Sequence, residues 1–175
     1  MQELFLSLLK EPSRERYLEL RKEIMQRENF APYSDDLRRA EELLGEEKFD
    51  EAAEVIFHSM PNLLLSPSAH MLVGFVFEQQ GRAEDAELER NIALLCCEAI
   101  TLTGAGTEAE PYQVMRTSDE YDVLRFLGKE FTGQGLVEKN GRHYDALKCE
   151  DGEELWFEIT DMYAMLSQKL RGDDL

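Results

Sequence analysis

The sequence predicts an α+β protein in two parts: helical hairpins over residues 1–103, and a small domain over 112–175 in the order β-α-β-β-β-α. Three observations carry this. Apolar residues recur at the 3.6-residue helical period from Met1 to about Thr103. Two dipeptides, Asn140-Gly141 and Asp151-Gly152, interrupt alternating apolar and polar residues, which is the pattern of β-hairpins. Between these stretches, Gly104 to Pro111 is glycine-rich and poor in apolar residues, and it reads as a linker over 104–111.

The first ten residues carry an early acid and only a short apolar stretch, so they read as an amphipathic helix start and not as a signal peptide. Ser13 suits the cap of a helix with Tyr17, Leu20, Ile24 and Met25 on one side. Pro32 and Ser34 then break and restart the chain. Two following segments align at an offset of 34 residues: Ala40 on Gly74, Leu43 on Phe77, Glu47 on Gly81, and Ala52 on Ala86. Small residues fall where two helices of a hairpin touch, and Glu47 and Gly81 fall at the turn.

In these positions the chain resembles the tetratricopeptide family, over roughly Tyr33 to Glu98, about two repeats. The resemblance implies helix-turn-helix units with a concave side built from first helices, where Arg39, Leu43, His70 and Phe77 would contact a partner. Arg90 occupies a place that the family fills with an apolar residue. Two such units bury too little alone. The helix with Tyr17 to Met25 is expected to cap one end. A stripe of Leu88, Ile92, Leu95, Cys96 and Ala99 is expected to close the other.

In the C-terminal part, Tyr112 to Met115 alternates and reads as a short strand. Thr117 and Glu120 have capping-box spacing and open a helix through Tyr121, Leu124 and Leu127 that stops at Gly128. Strands follow over Gln134 to Lys139, Arg142 to Cys149 and Glu153 to Ile159, forming an antiparallel meander. A last helix starts at Thr160 and uses Met162, Leu166 and Leu170. Two-residue turns at both hairpins would pair Val137 with Tyr144, Ala146 with Phe157, and Asp145 with Glu158. Val137, Tyr144, Ala146, Leu155, Phe157 and Ile159 then form a core face, and Trp156 gathers with acids on the other. The run from Gly106-Thr107-Glu108 through Tyr144-Asp145-Ala146-Leu147 to Phe157-Glu158-Ile159 resembles an uncharacterised bacterial domain family that often follows tetratricopeptide-like helices. That resemblance implies no chemistry.

The chain has 175 residues with 37 acids against 19 Lys and Arg, a formal net charge of -18. Such a surface repels phosphate backbones and anionic lipids, which excludes nucleic acid and membrane surfaces as partners. No apolar run approaches the length of a transmembrane helix. Cys96, Cys97 and Cys149 show no C-x-x-C spacing and read as reduced packing residues of a cytoplasmic protein. Gly104-Ala105-Gly106-Thr107 lacks the lysine of a phosphate loop, and Glu108 and Glu110 would repel phosphate.

These features predict a non-catalytic protein–protein interaction protein without a cofactor, whose partner is a basic or neutral polypeptide segment. Binding contacts are expected at Arg39, Leu43, His70, Phe77 and Trp156. No oligomeric state follows. The alternative is a small-molecule or divalent-cation site on the polar face of the meander. There Glu138 lies opposite His143 and Asp145 opposite Glu158, all beside Trp156, so the four could ligate a metal or hold one carboxyl with a raised pKa. Neither HxH nor HExxH spacing accompanies them.

Overall fold

The computed structural model describes residues 1–170. These form eight helices and a four-stranded mixed sheet, an α+β protein with helices first and the sheet after. The chain divides into two compact units, Met1–Ala99 and Ile100–Leu175. No helix among the described residues is long and apolar enough to cross a membrane.

The first unit holds α1 (Gln2–Lys10), α2 (Arg14–Met25), α3 (Asp36–Gly45), α4 (Phe49–His58), α5 (Pro67–Gln79) and most of α6 (Ala83–Thr101). Ser13 caps α2, its hydroxyl accepting from the Arg16 N–H. Ser66 caps α5 in the same way, with Pro67 at the first helical position, where its missing N–H costs nothing. The α3–α4 and α5–α6 hairpins repeat each other at the 34-residue offset. The Lys48 N–H donates to the Leu43 carbonyl at 2.9 Å, and the Arg82 N–H to the Phe77 carbonyl at 2.8 Å. Glu47 and Gly81 both take positive φ to make this helix-ending turn. Ala40, Ala52, Gly74 and Ala86 are all buried. A Cβ added to Gly74 would meet the Ala86 carbonyl oxygen at 3.2 Å, so the close approach of α5 and α6 explains the glycine. Arg90, in a place expected to be apolar, lays its stem against Gly74 and carries its guanidinium out to Glu78 at 3.1 Å. The expected stripe on α6 holds for Ile92, Cys96 and Ala99, which are buried. Leu88 is exposed instead. The buried surface of α6 starts from Ala86 and continues through Ala93, Cys97 and Ile100, on a row of the helix beside that of Leu88.

The second unit holds β1 (Tyr112–Gln113), α7 (Thr117–Phe126), β2 (Phe131–Lys139), β3 (Arg142–Cys149), β4 (Glu154–Glu158) and α8 (Thr160–Leu170). The sheet order is β1-β4-β3-β2, with β1 parallel to β4 and the other pairs antiparallel. Met162 of α8 is buried, while the side chain of Leu170 lies outside the described residues. Residues 104–111, read as a linker, form an ordered loop of this unit. The Ala105 and Thr107 N–H groups both donate to the Glu110 carbonyl, and the Trp156 N–H donates to the Gly106 carbonyl at 2.9 Å.

The β2–β3 register is the one expected, with Val137 opposite Tyr144 and Glu138 opposite His143. Asn140 and Gly141 both have positive φ, as a type I′ turn requires. The β3–β4 register is different. Tyr144 stands opposite Glu158, Asp145 opposite Phe157 and Ala146 opposite Trp156. The cause is a three-residue loop, Glu150 to Gly152, in which Gly152 takes positive φ and Asp151 does not. One residue of slip exchanges the faces of β4 relative to β3. The expected core face is therefore split. Asp145, Leu147, Leu155 and Phe157 share one side, and Tyr144, Ala146, Trp156 and Glu158 share the other. The expected Asp145–Glu158 pair does not exist.

The N-terminus of α7 also differs from expectation by one residue. Arg116 is the cap position, and Asp119, three residues on, accepts from the Met115 and Arg116 N–H groups, each at 3.0 Å. Glu120 is freed from that role and turns into the core, fully buried.

Candidate functional site

A groove of about 330 Å³ opens on the α3–α4 hairpin. Leu43 and Val55 contribute its apolar surface, and Asp36, Glu51 and Glu54 surround it with carboxylates. Arg39 and His58 are the basic groups in its lining. The His58 Nδ1 lies 2.7 Å from the Glu54 carbonyl oxygen, so Nδ1 carries a proton and donates. Three carboxylates against one arginine make the groove favour a cationic or dipolar ligand with a short apolar part.

The structure brings two of the four expected helical contacts, Arg39 and Leu43, to this groove. His70 and Phe77 are elsewhere. His70 is 4% exposed, with Nδ1 at 2.7 Å from Glu89 Oε2 and Nε2 at 3.0 Å from the Leu64 carbonyl oxygen. Both ring nitrogens are thus engaged, one by a side chain of α6 and one by the backbone. Its ring also stacks on Phe5, with centroids 6.2 Å apart. This histidine ties α1, α5 and α6 together and offers no surface to a partner. Phe77 is half-buried, covered by the Arg82 guanidinium at 3.9 Å and flanked by Phe57.

The expected polar constellation on the meander is dispersed. Glu158 is 8% exposed and fully engaged. It accepts from Arg142 Nε at 2.8 Å, Gln113 Nε2 at 2.6 Å and the Thr160 hydroxyl at 3.2 Å. Burial raises its pKa, but the bonds from Arg142 and Gln113, the Arg142 charge and the Thr160 hydroxyl outweigh this and hold it below the usual glutamate value. His143 stacks on Tyr163 with centroids 3.8 Å apart, and its Nε2 is 3.9 Å from Glu138. Trp156 packs edge-on against Tyr144 on the face of Glu158, and its indole N–H donates to Glu154. Asp145 is on the opposite face. Among the described residues no group of three or more His, Cys, Asp and Glu is placed to hold a metal ion, and the structure does not bring these four together.

Sequence reasoning missed a different acidic group. Glu120 of α7 and Asp145 of β3 meet in the interior of the second unit, beside Asp119. The signal was available: Glu120, Val123 and Leu124 share one helical row, and two of the three are apolar. All three are buried.

Compared with protein-family models, with curated proteins and with solved structures, the chain finds no match in any of the three. The fold and the groove thus define the class on their own: an α+β chain in which repeated helical hairpins precede a four-stranded sheet unit.

Proposed function

We propose that the chain is a non-catalytic interaction protein of tetratricopeptide-like type, whose helical unit receives a basic or neutral polypeptide segment in the groove between α3 and α4. The observation that carries this is the groove itself, with Asp36, Glu51 and Glu54 around an apolar floor of Leu43 and Val55. A lysine or arginine side chain matches it, placing its methylene stem on the floor and its charge among the acids. The 34-residue repetition of the hairpin turns supports a repeat platform. The overall charge of -18 adds attraction at long range for any basic segment. The test is fluorescence anisotropy with labelled decapeptides of equal length, one Lys/Arg-rich and one Glu-rich. The basic peptide is expected to bind more tightly and to weaken with added salt. The double variant Glu51→Gln, Glu54→Gln is expected to lower its affinity about fivefold, from roughly 0.5 kcal/mol per exposed charge contact. Equal binding of both peptides, or an unchanged affinity in the double variant, overturns the reading.

A further inference from the structure

Glu120 has no exposed surface, and neither of its carboxyl oxygens meets a donor. Asp145, 6% exposed, faces it from β3, and the buried Oδ1 of Asp119 also lacks a donor. Two ionised carboxylates in so dry a space repel each other, and the hydrogen bond from Gln134 that Asp145 accepts leaves Glu120 without a donor of its own. The charges that act on Glu120 are those of Asp145 and Asp119, both negative. The nearby cations serve other groups: Arg116 acts on Asp119, and Arg125 pairs with Asp122 at 2.5 Å. Tyr121 adds only a neutral phenol, hydrogen-bonded to Gln134 of β2. A proton on Glu120 resolves the conflict. It removes one charge and supplies Asp145 with an O–H donor.

We propose that Glu120 is held in the folded protein as a neutral carboxylic acid donating to Asp145, and that this pair makes the packing of α7 on β3 a proton-dependent latch. The latch is closed while the proton is present and loosens when it leaves. Burial, then the charges of Asp145 and Asp119, push the Glu120 pKa up to about 9 from an ordinary 4.5. Burial and the Asp122 charge push Asp119 up to about 7, against the opposing effect of the Met115 and Arg116 N–H bonds and the Arg116 charge. Burial also raises Asp145. The folded state therefore holds protons more tightly than the unfolded chain. The contribution of Glu120 to stability is full below about pH 4.5, falls as the pH rises, and levels off above about 9.

The test is urea unfolding of the full chain between pH 5 and pH 10, followed by Trp156, the single tryptophan, which lies on β4 of the same unit. The wild-type midpoint is expected to fall from pH 5 to about pH 9 and to level off above it. Glu120→Gln keeps the shape and donates to Asp145 through a group that does not titrate, so its midpoint is expected to fall less between pH 7 and pH 9. Parallel curves for the two proteins overturn the latch. Should Glu120→Gln fail to fold, carbon-detected NMR titration of the wild-type Glu120 carboxyl decides the matter. A midpoint near 9 upholds the proposal, and one in the ordinary glutamate range ends it. Asp145→Asn is expected to lower that midpoint, and no change would refute the pairing.

Discussion

Glu47 and Gly81 lie 34 residues apart and adopt the same left-handed backbone, with φ of 60° and 73°. Each ends the first helix of a hairpin, and each is followed by an N–H that reaches back to the helix at the same spacing. Glycine takes this conformation freely, whereas a residue with a Cβ is strained by roughly 1 kcal/mol. Glu47→Gly is therefore expected to stabilise the first unit by about 0.5–1 kcal/mol, and Gly81→Ala to destabilise it by about 1 kcal/mol. Nothing lies within 4 Å of a Cβ built at Gly81, so the second change isolates the backbone effect. Thermal unfolding of the two variants checks both signs.

The His70–Glu89 pair gives a second prediction. Both nitrogens of His70 are bonded, and the ring is 4% exposed. His70→Ala leaves the Glu89 carboxylate and the Leu64 carbonyl without their donor and opens a space beside Phe5. A loss of about 2–3 kcal/mol is expected from the unpaired acceptors and the cavity together. Glu89→Gln keeps an acceptor for Nδ1 and loses only the charge assistance, so about 1 kcal/mol is expected. Urea unfolding measures the difference, and no loss in Glu89→Gln would show that the carboxylate is not what holds the ring.

How far the sequence was legible depends on turns that differ by one residue. Asn140-Gly141 needs positive φ at both positions, and both have it, so the β2–β3 register follows directly. Asp151-Gly152 carries the same signal but sits in a three-residue loop, and the dipeptide alone does not separate the two cases. That single residue moves Asp145 from Glu158 to Phe157 and dissolves the expected site. At α7 the capping-box spacing points to Thr117 and Glu120, but the helix starts one residue earlier, with Arg116 at the cap position. The structure uses Asp119 and buries Glu120. The α+β order and the hairpin repeat were readable because they rest on long periodic patterns. The groove was half readable, through Arg39 and Leu43, since its other wall comes from α4.

Gly106 yields a third prediction. Its φ is 69°, and an added Cβ would lie 2.5 Å from the Tyr112 ring. Tyr112 in turn packs on Phe157, with centroids 5.7 Å apart, so the ring has little room to retreat. Gly106→Ala is expected to cost about 2–4 kcal/mol, combining left-handed strain with overpacking. The loss should appear in Trp156 fluorescence, because the Trp156 N–H bonds the Gly106 carbonyl. An unchanged unfolding midpoint would mean that the loop over 104–111 is not part of the second unit's cooperative core.

Arg142 and Glu158 supply the last prediction, and its sign opposes that of the Glu120 latch. Glu158 is held below the ordinary glutamate value in the folded unit. Its contribution is therefore present above about pH 4.5 and is lost as the pH falls through its lowered folded value. Arg142→Met removes the guanidinium while keeping a stem of similar length over the sheet. Gln113 and Thr160 still bond the carboxylate, and the arginine side chain is 54% exposed, so the loss at neutral pH is discounted to about 1–2 kcal/mol. As the pH falls through the lowered folded value of Glu158 the variant and the wild type should converge, because the protonated Glu158 no longer needs the cation. Urea midpoints at pH 7 and stepwise below pH 4.5 separate this from a packing effect, which would lower the variant's stability equally at every pH. Glu120 gives no such convergence, since its proton is already bound throughout that range.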